Sequence, residues 1–255
     1  MYTGLIPIAL VALAGVADTG AARRSAFDAN EVLGKMRAAY AALASYADSG
    51  TVLDETVSYT DRSTFRTFFT RDPNNLFIEF RGIATEDKNG NRVPLRQHMV
   101  LWMENGELQT WMSESQAHET YPRAAGRQVN AVKIAGLYTR GVSVLIPSHL
   151  YTNAGMASAV HAADEVEADG FERVNGRDCY RLLGIERWRY PSGQETGVRP
   201  ITIWIDRATY LIHKVFQDTP KGYPRNEISR RITTIKHRAN PKIAPAQFRY
   251  TVPAS

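Results

Sequence analysis

From Asp28 onward the hydrophobic positions fall into two regimes. Val32, Met36, Ala39, Tyr40, Leu43 and Tyr46 recur at helical spacing, which predicts one apolar face on a helix of about five turns. Asp28 supplies an N-cap, and Glu31 three residues later makes a capping-box-like pair. The predicted helix ends at Asp48-Ser49-Gly50. From Thr51 the period becomes two, and residues 51–59, 64–71 and 76–81 read as successive strands. Turn clusters at Asp61-Arg62-Ser63 and Asp72-Pro73-Asn74-Asn75 separate them. Residues 97–103 and 107–112 are two further apolar runs joined by Asn105-Gly106, a strong hairpin signal.

Midway the alternation stops. Residues 129–138 suit a short helix, and 142–151 suit a second one interrupted at Pro147. Strands resume over 164–173, 179–188, 201–206, 211–217, 227–236 and 248–252. Turns fall at Val174-Asn175-Gly176, at Pro191-Ser192-Gly193 and across 206–209. Short turns between sequential strands give an antiparallel meander, and a sheet of about 11 strands must curl. The expected fold is therefore mainly β with some α: one curled antiparallel sheet, a half-barrel, with an N-terminal amphipathic helix and a mid-chain helical lid. No linker or repeat divides the chain, so residues 23–255 are expected to form one domain.

Composition narrows the function. The chain carries 31 Lys and Arg against 26 Asp and Glu, a formal charge of +5 over 255 residues. The basic residues are scattered, without the stripe or motif that nucleic acid requires. Cys179 is the only cysteine, so neither an intrachain disulfide nor a cysteine-based metal site is expected. Residues 5–17 form a short apolar run followed by small residues, which predicts a secretion signal over 1–22 and a periplasmic protein. Val16 stands after Ala14-Gly15 where a lipoprotein would carry its acylated cysteine, so no lipid anchor is expected.

The chemistry-bearing residues do not assemble a catalytic motif. The six histidines are dispersed, with no His-Glu-x-x-His or His-x-His pair. No Gly-x-Ser-x-Gly elbow or phosphate-binding glycine loop occurs. Asp164, Glu165, Glu167 and Asp169 read as a solvated strand edge, because neighbours on a strand face opposite ways. No catalytic residue, metal or cofactor is expected, and the protein is read as a non-enzyme.

Three sequence features, taken in order, resemble the periplasmic lipoprotein-carrier superfamily of LolA/LolB-like half-barrels. The first is a strand ending at Arg71 and Pro73, with Asp72 between them, and followed by Asn75-Leu76-Phe77. The second is the Asn105-Gly106 hairpin followed by Trp111, and the third is the ending Phe248, Tyr250, Pro253. Residues 174–182 and 204–212 are more similar to an uncharacterised branch of that superfamily than to the dedicated carrier.

The resemblance implies a carrier for lipoprotein acyl chains or another apolar, lipid-like ligand, working as a monomer with an inner- or outer-membrane protein partner. It puts Arg71 facing the cavity and hydrogen-bonded to the lid; the alternative is an arginine that ends a strand in solvent. With Arg71 inward, alternation places Phe65 and Phe69 on its face. Phe77, Val100, Trp102, Trp111, Ile203, Ile205 and Ile212 are further candidates for the lining, with core packing as the plainer role for each. Val129, Val132 and Leu137 are the lid candidates. A second reading is an envelope sensory or regulatory module that contacts a protein partner; the lack of a further C-terminal domain after the last strand counts against that full architecture.

Overall fold

The computed structural model describes residues 27–104, 106–121, 132–133, 135–136, 138–151, 158–189, 195–219 and 230–253. The predicted signal at 1–22, lid candidates Val129 and Leu137, and the turn at 191–193 lie outside the described residues.

The chain opens with α1 (Ala29–Ala42), capped by Asp28, whose carboxylate accepts from the amides of Asn30 and Glu31. The helix stops short of its expected end. The Asn240 side chain accepts from the amides of Ala44 and Ser45 and starts the first strand there. Tyr46, predicted on the helix, is buried within that strand instead.

Among the described residues twelve strands follow: β1 (Ser45–Glu55), β2 (Tyr59–Thr70), β3 (Asn75–Asp87), β4 (Arg92–Pro94), β5 (His98–Glu104), β6 (Glu107–Met112) and β7 (Ala117–Tyr121) in the first half. The second half supplies β8 (Ala163–Val174), β9 (Arg177–Arg189), β10 (Glu195–Asp206), β11 (Ile212–Gln217) and β12 (Arg230–Ala239). They form one antiparallel sheet in the order β7-β6-β5-β3-β2-β1-β12-β11-β10-β9-β8, with β4 beside β3. The two halves of the chain meet at the β1–β12 pair, and β7 and β8 are left as the ends of this order. The segment between β7 and β8 therefore runs from one end to the other. It carries helices α2 (Val142–Leu145) and α3 (Pro147–Leu150), split at Pro147 as expected.

The sheet curls around α1. One buried cluster contains Met36 and Tyr40 of α1 together with residues of β2, β3, β5 and β6 on one side and β9 to β12 on the other. Strands so far apart in the order can share a core only if the sheet folds over a common axis. Gly50 leaves room for the Phe65 ring of β2, because a Cβ there would collide with that ring and with the Thr234 carbonyl. The half-barrel with an internal helix is the expected fold, and it stays open.

Three local expectations fail. Asp61-Arg62-Ser63 lies inside β2; Asp61 is buried against Thr85 and Arg140, so it is polar because of these partners and not because the chain turns. β7 was not anticipated, since its exposed, polar residues carry no alternation. The expected last strand at 248–252 is absent: a 3-10 turn spans Pro245–Phe248 and residues 249–253 make no strand. Phe248, Tyr250 and Val252 do alternate, but they pack on the outer face of the sheet as a strap over Phe68, Phe77, Trp102 and Trp111.

Candidate ligand-binding site

The site expected from sequence is the concave face, so its two sides have to be told apart. In β2, Phe65 and Phe69 belong to the inner cluster with α1, whereas Phe68 belongs to the outer one. Cross-strand partners share a face. Phe68 pairs with Phe77, Phe77 with Trp102, and Val100 with Trp111. Phe77, Val100, Trp102 and Trp111 are therefore on the convex side, under the C-terminal strap. This corrects their expected place in the lining; alternation alone leaves the choice of face open, because both faces of these strands are apolar. Ile203, Ile205, Ile212 and the lid candidate Val132 lie in the inner cluster with Phe65 and Phe69.

The concavity is occupied by the protein itself. α1 buries Val32, Leu33, Met36 and Tyr40 there, and the insertion adds Val132, Ala135, Val142, Leu145, Ile146 and Leu150. Tyr40 is fully buried; its hydroxyl accepts from the Ile212 amide at 3.1 Å, and burial pushes its acidity down and its pKa up. His149 of α3 stacks on Tyr40 and on His161, with ring centroids 5.3 and 4.2 Å away. Among the described residues neither ring nitrogen of His149 has a hydrogen-bond partner, and burial, then His161 and Arg37, hold its pKa well below the usual histidine value.

Polar contacts fasten the α2–α3 stretch of the insertion at both of its ends. At its C-terminal end the Arg71 guanidinium donates from Nε to the Leu43 carbonyl at 3.0 Å, and from Nη2 to the carbonyls of Tyr40 and Leu150 at 3.4 Å. Helix C-termini leave carbonyls unsatisfied, and one planar cation here serves the ends of both α1 and α3. Tyr151 adds a hydroxyl bond to Asn74 at 2.9 Å. The geometry places Arg71 at the rim, partly exposed, rather than inside the apolar cluster.

At the other end Arg140 forms ion pairs with Asp54 at 2.6 Å and with Asp61. Asp54 also pairs with Arg231 at 2.6 Å, and Arg231 donates to the Arg140 carbonyl at 2.6 Å. Arg140 and Gly141 both have positive φ, 54° and 83°, which turns the chain from this cluster into α2. Burial disfavours the Arg140 charge, but Asp54 and Asp61 hold its pKa above the ordinary value. Arg231 goes the other way: burial lowers it, against the pull of Asp54 and with the repulsion of Arg199 and Arg140.

A cavity of about 390 Å³ opens beside this ion network, between the insertion and the inner faces of β9 to β12. Its strand wall includes Arg199, Arg231, Glu186 and Gln217, and its insertion wall includes Val142, Val144 and Leu145. Glu186 accepts from Arg199 Nε at 2.5 Å and from Gln217 at 2.7 Å. Sequence reasoning missed Asp54, Asp61, Arg140, Arg231 and Glu186. The signal was present in β1 and β2, where aspartates occupy inward positions of otherwise alternating strands. Among the described residues no group of histidine, cysteine and carboxylate side chains has the geometry to hold a metal ion, and no helix is long and apolar enough to cross a membrane.

No family model matches the sequence, and no curated protein matches it. Solved structures that the fold resembles include the lipoprotein LppX of Mycobacterium tuberculosis, at 11% identity and TM-score 0.41 over 85% of this chain and 99% of that one. The MucA/MucB complex of Pseudomonas aeruginosa matches at 15% identity and TM-score 0.46, over 88% of this chain and 62% of that one. An outer-membrane lipoprotein-sorting protein domain from Vibrio parahaemolyticus, itself named only as a candidate for that role, matches at 9% identity and TM-score 0.33, over 86% and 94%. These likenesses concern the fold and are silent on ligand and partner.

Proposed function

We propose that the protein is a periplasmic carrier that holds an acyl chain, or another elongated apolar ligand, against the concave face of the half-barrel. The observation that carries this reading is the helical insertion. Its apolar side chains join α1 in filling the concavity, while polar contacts hold the stretch from Arg140 to Leu150 at both of its ends. A ligand would replace Val142, Leu145, Ile146 and Leu150 on the sheet, and the insertion would swing away as a lid. Each buried methylene of an acyl chain gains about 0.8 kcal/mol, so a long chain can offset the contacts the lid gives up.

Native mass spectrometry of protein purified without detergent, before and after mild lipid extraction, tests this. Extra mass that leaves with the lipid supports carriage and names the cargo class. A clean apo mass, together with no binding of a fluorescent fatty acid, would sink the reading and turn attention to a protein partner.

A further inference from the structure

The convex face of the sheet has a charge pattern of its own. Cross-strand partners share a face, and Ala47 and Phe68 belong to the outer cluster. Arg238 stands opposite Ala47. Lys236 stands opposite Ser49, which stands opposite Arg66 on its other side. Arg62 falls on the same face as Arg66 and Phe68 by alternation along β2. Lys214 stands opposite Trp204, with its ammonium 4.2 Å from the centre of that ring. The floor between these cations is made of small hydroxyl side chains, Ser49, Thr51, Thr64 and Thr234.

Among the described residues, Arg62, Lys214, Lys236 and Arg238 form no ion pair with a carboxylate. Arg66 and Arg81 share one carboxylate, Glu79, at 2.5 Å each, so that group keeps an excess of one positive charge. Glu55 and Glu172 stand at the margins of the face, where they pair with Arg230 and Arg181. The C-terminal strap continues the pattern: from Lys236 to Pro253 the sequence has Lys236, Arg238, Lys242 and Arg249 and no Asp or Glu. Lys242 and Arg249 are both exposed.

We infer that this face docks the protein on an anionic lipid surface. Charge complementarity favours a partner of dense negative charge. A specific protein interface would be depleted in lysine and would present an aromatic anchor to be buried. Here the rings beneath the cations are already covered, Trp204 at 5% and Phe68 at 7% exposure, and the floor is small and polar. Phosphate head groups need only the charge. The face lies opposite α1 and the insertion, so docking leaves the insertion free to move and does not depend on the carrier function proposed above.

Co-sedimentation of the full chain with vesicles tests this. The protein should bind vesicles that contain about one third phosphatidylglycerol and leave pure phosphatidylcholine in solution. Salt at about 1 M, which screens charges beyond about 3 Å, should release it. Each cation on the face is worth about fivefold in partition, so Lys236→Gln with Arg238→Gln should lower it about 25-fold. Both side chains are exposed and without a carboxylate partner, and an unchanged thermal melt checks that the fold is kept. Lys88→Gln with Arg92→Gln removes the same charge from the β3–β4 hairpin and should leave partition unaltered. No binding to the anionic vesicles at low salt overturns the proposal, and so does an equal loss in the hairpin variant. Displacement from the vesicles by an equal charge of soluble polyglutamate also overturns it, and assigns the face to an acidic chain. None of these outcomes bears on fatty-acid uptake, so this proposal and the carrier reading fail separately.

Discussion

The guanidinium of Arg71 and the backbone carbonyl of Leu150 lie 3.4 Å apart although 79 positions separate them in the chain. Through this contact the turn after β2 holds the C-terminal end of α3, while the same cation holds the end of α1 at Leu43. A side chain that ties two helix ends at the rim, and leaves the apolar cluster alone, should control the movement of the insertion more than the stability of the sheet.

Replacing Arg71 by Leu is therefore expected to cost about 1–2 kcal/mol of stability, since the bonds are partly exposed and net hydrogen-bond contributions are of that order. Release of a bound fluorescent fatty acid should speed up by about fivefold, following the loss of roughly 1 kcal/mol from the closed state. Stopped-flow release and a urea titration on the same sample separate the two effects. Unaltered release would remove Arg71 from the closing mechanism.

Asp54 is a different kind of group. It is fully buried and serves both Arg140 and Arg231. Asp54→Asn keeps the shape but removes the charge that compensates two enclosed cations, and breaking a buried ion network from one side costs about 3–5 kcal/mol. The urea midpoint should fall accordingly, with an unchanged slope.

The His149 site sets a pH dependence. Its folded pKa lies well below the usual value of 6.5, through burial first and then the charges of His161 and Arg37. The unfolded chain therefore binds a proton that the folded protein refuses. Stability is at its full value above the unfolded pKa and declines as pH falls below it, by up to about 1.4 kcal/mol per pH unit for this group, until the folded pKa is reached. His161 and His213 are lowered as well, and His237 to about 4, which adds the same sign. Asp48 opposes them: burial raises its pKa from 3.8 to about 7, so between those values its contribution shrinks as pH rises. A His149→Phe variant keeps the stack on Tyr40 and should show a flatter decline than the parent below about pH 6. Parallel profiles from thermal melts across that range would contradict the assignment.

The C-terminal strap offers a control that leaves the concave face untouched. Phe248 is buried against the outer aromatic cluster, where Tyr250 lies 5.4 Å from Trp102 and 5.6 Å from Trp111 by ring centroid. Phe248→Ala should cost about 3 kcal/mol, at the low end for a buried aromatic because the strap is a surface layer. It should shift tryptophan emission to the red, and it should leave fatty-acid affinity unchanged. A loss of affinity at unchanged folding would mean that the ligand uses the convex side.

Much of the architecture was legible because period is a local signal. Val32, Met36 and Tyr40 mark α1, and Phe65 and Phe69 mark the inner face of β2, by spacing alone. What was not legible depends on partners distant in sequence. Tyr46 continues the helical spacing, yet the Asn240 side chain, nearly two hundred positions away, starts a strand just before it. Phe248 and Tyr250 alternate as a strand would, but β12, the strand before them, is already paired with β1 and β11, and the same pattern serves packing on a face. Asp61 looks like a turn residue until Arg140 arrives from the insertion. The inward aromatics of β2 could be assigned from the turn at Arg71. The far side of β3, β5 and β6 could not, because Phe77, Trp102 and Trp111 are as apolar as their inward neighbours.

The central claim is that ligand reaches the concave face only when the insertion moves. Asn74 and Tyr151 touch across the closed edge, and Cys179 is buried away from reagents. An Asn74→Cys, Tyr151→Cys variant bridged by a short bismaleimide pins the insertion to the sheet. Uptake of a fluorescent fatty acid, measured before and after bridging, should fall by about a hundredfold in rate and recover when a cleavable bridge is cut. Equal uptake with the insertion pinned would contradict the account.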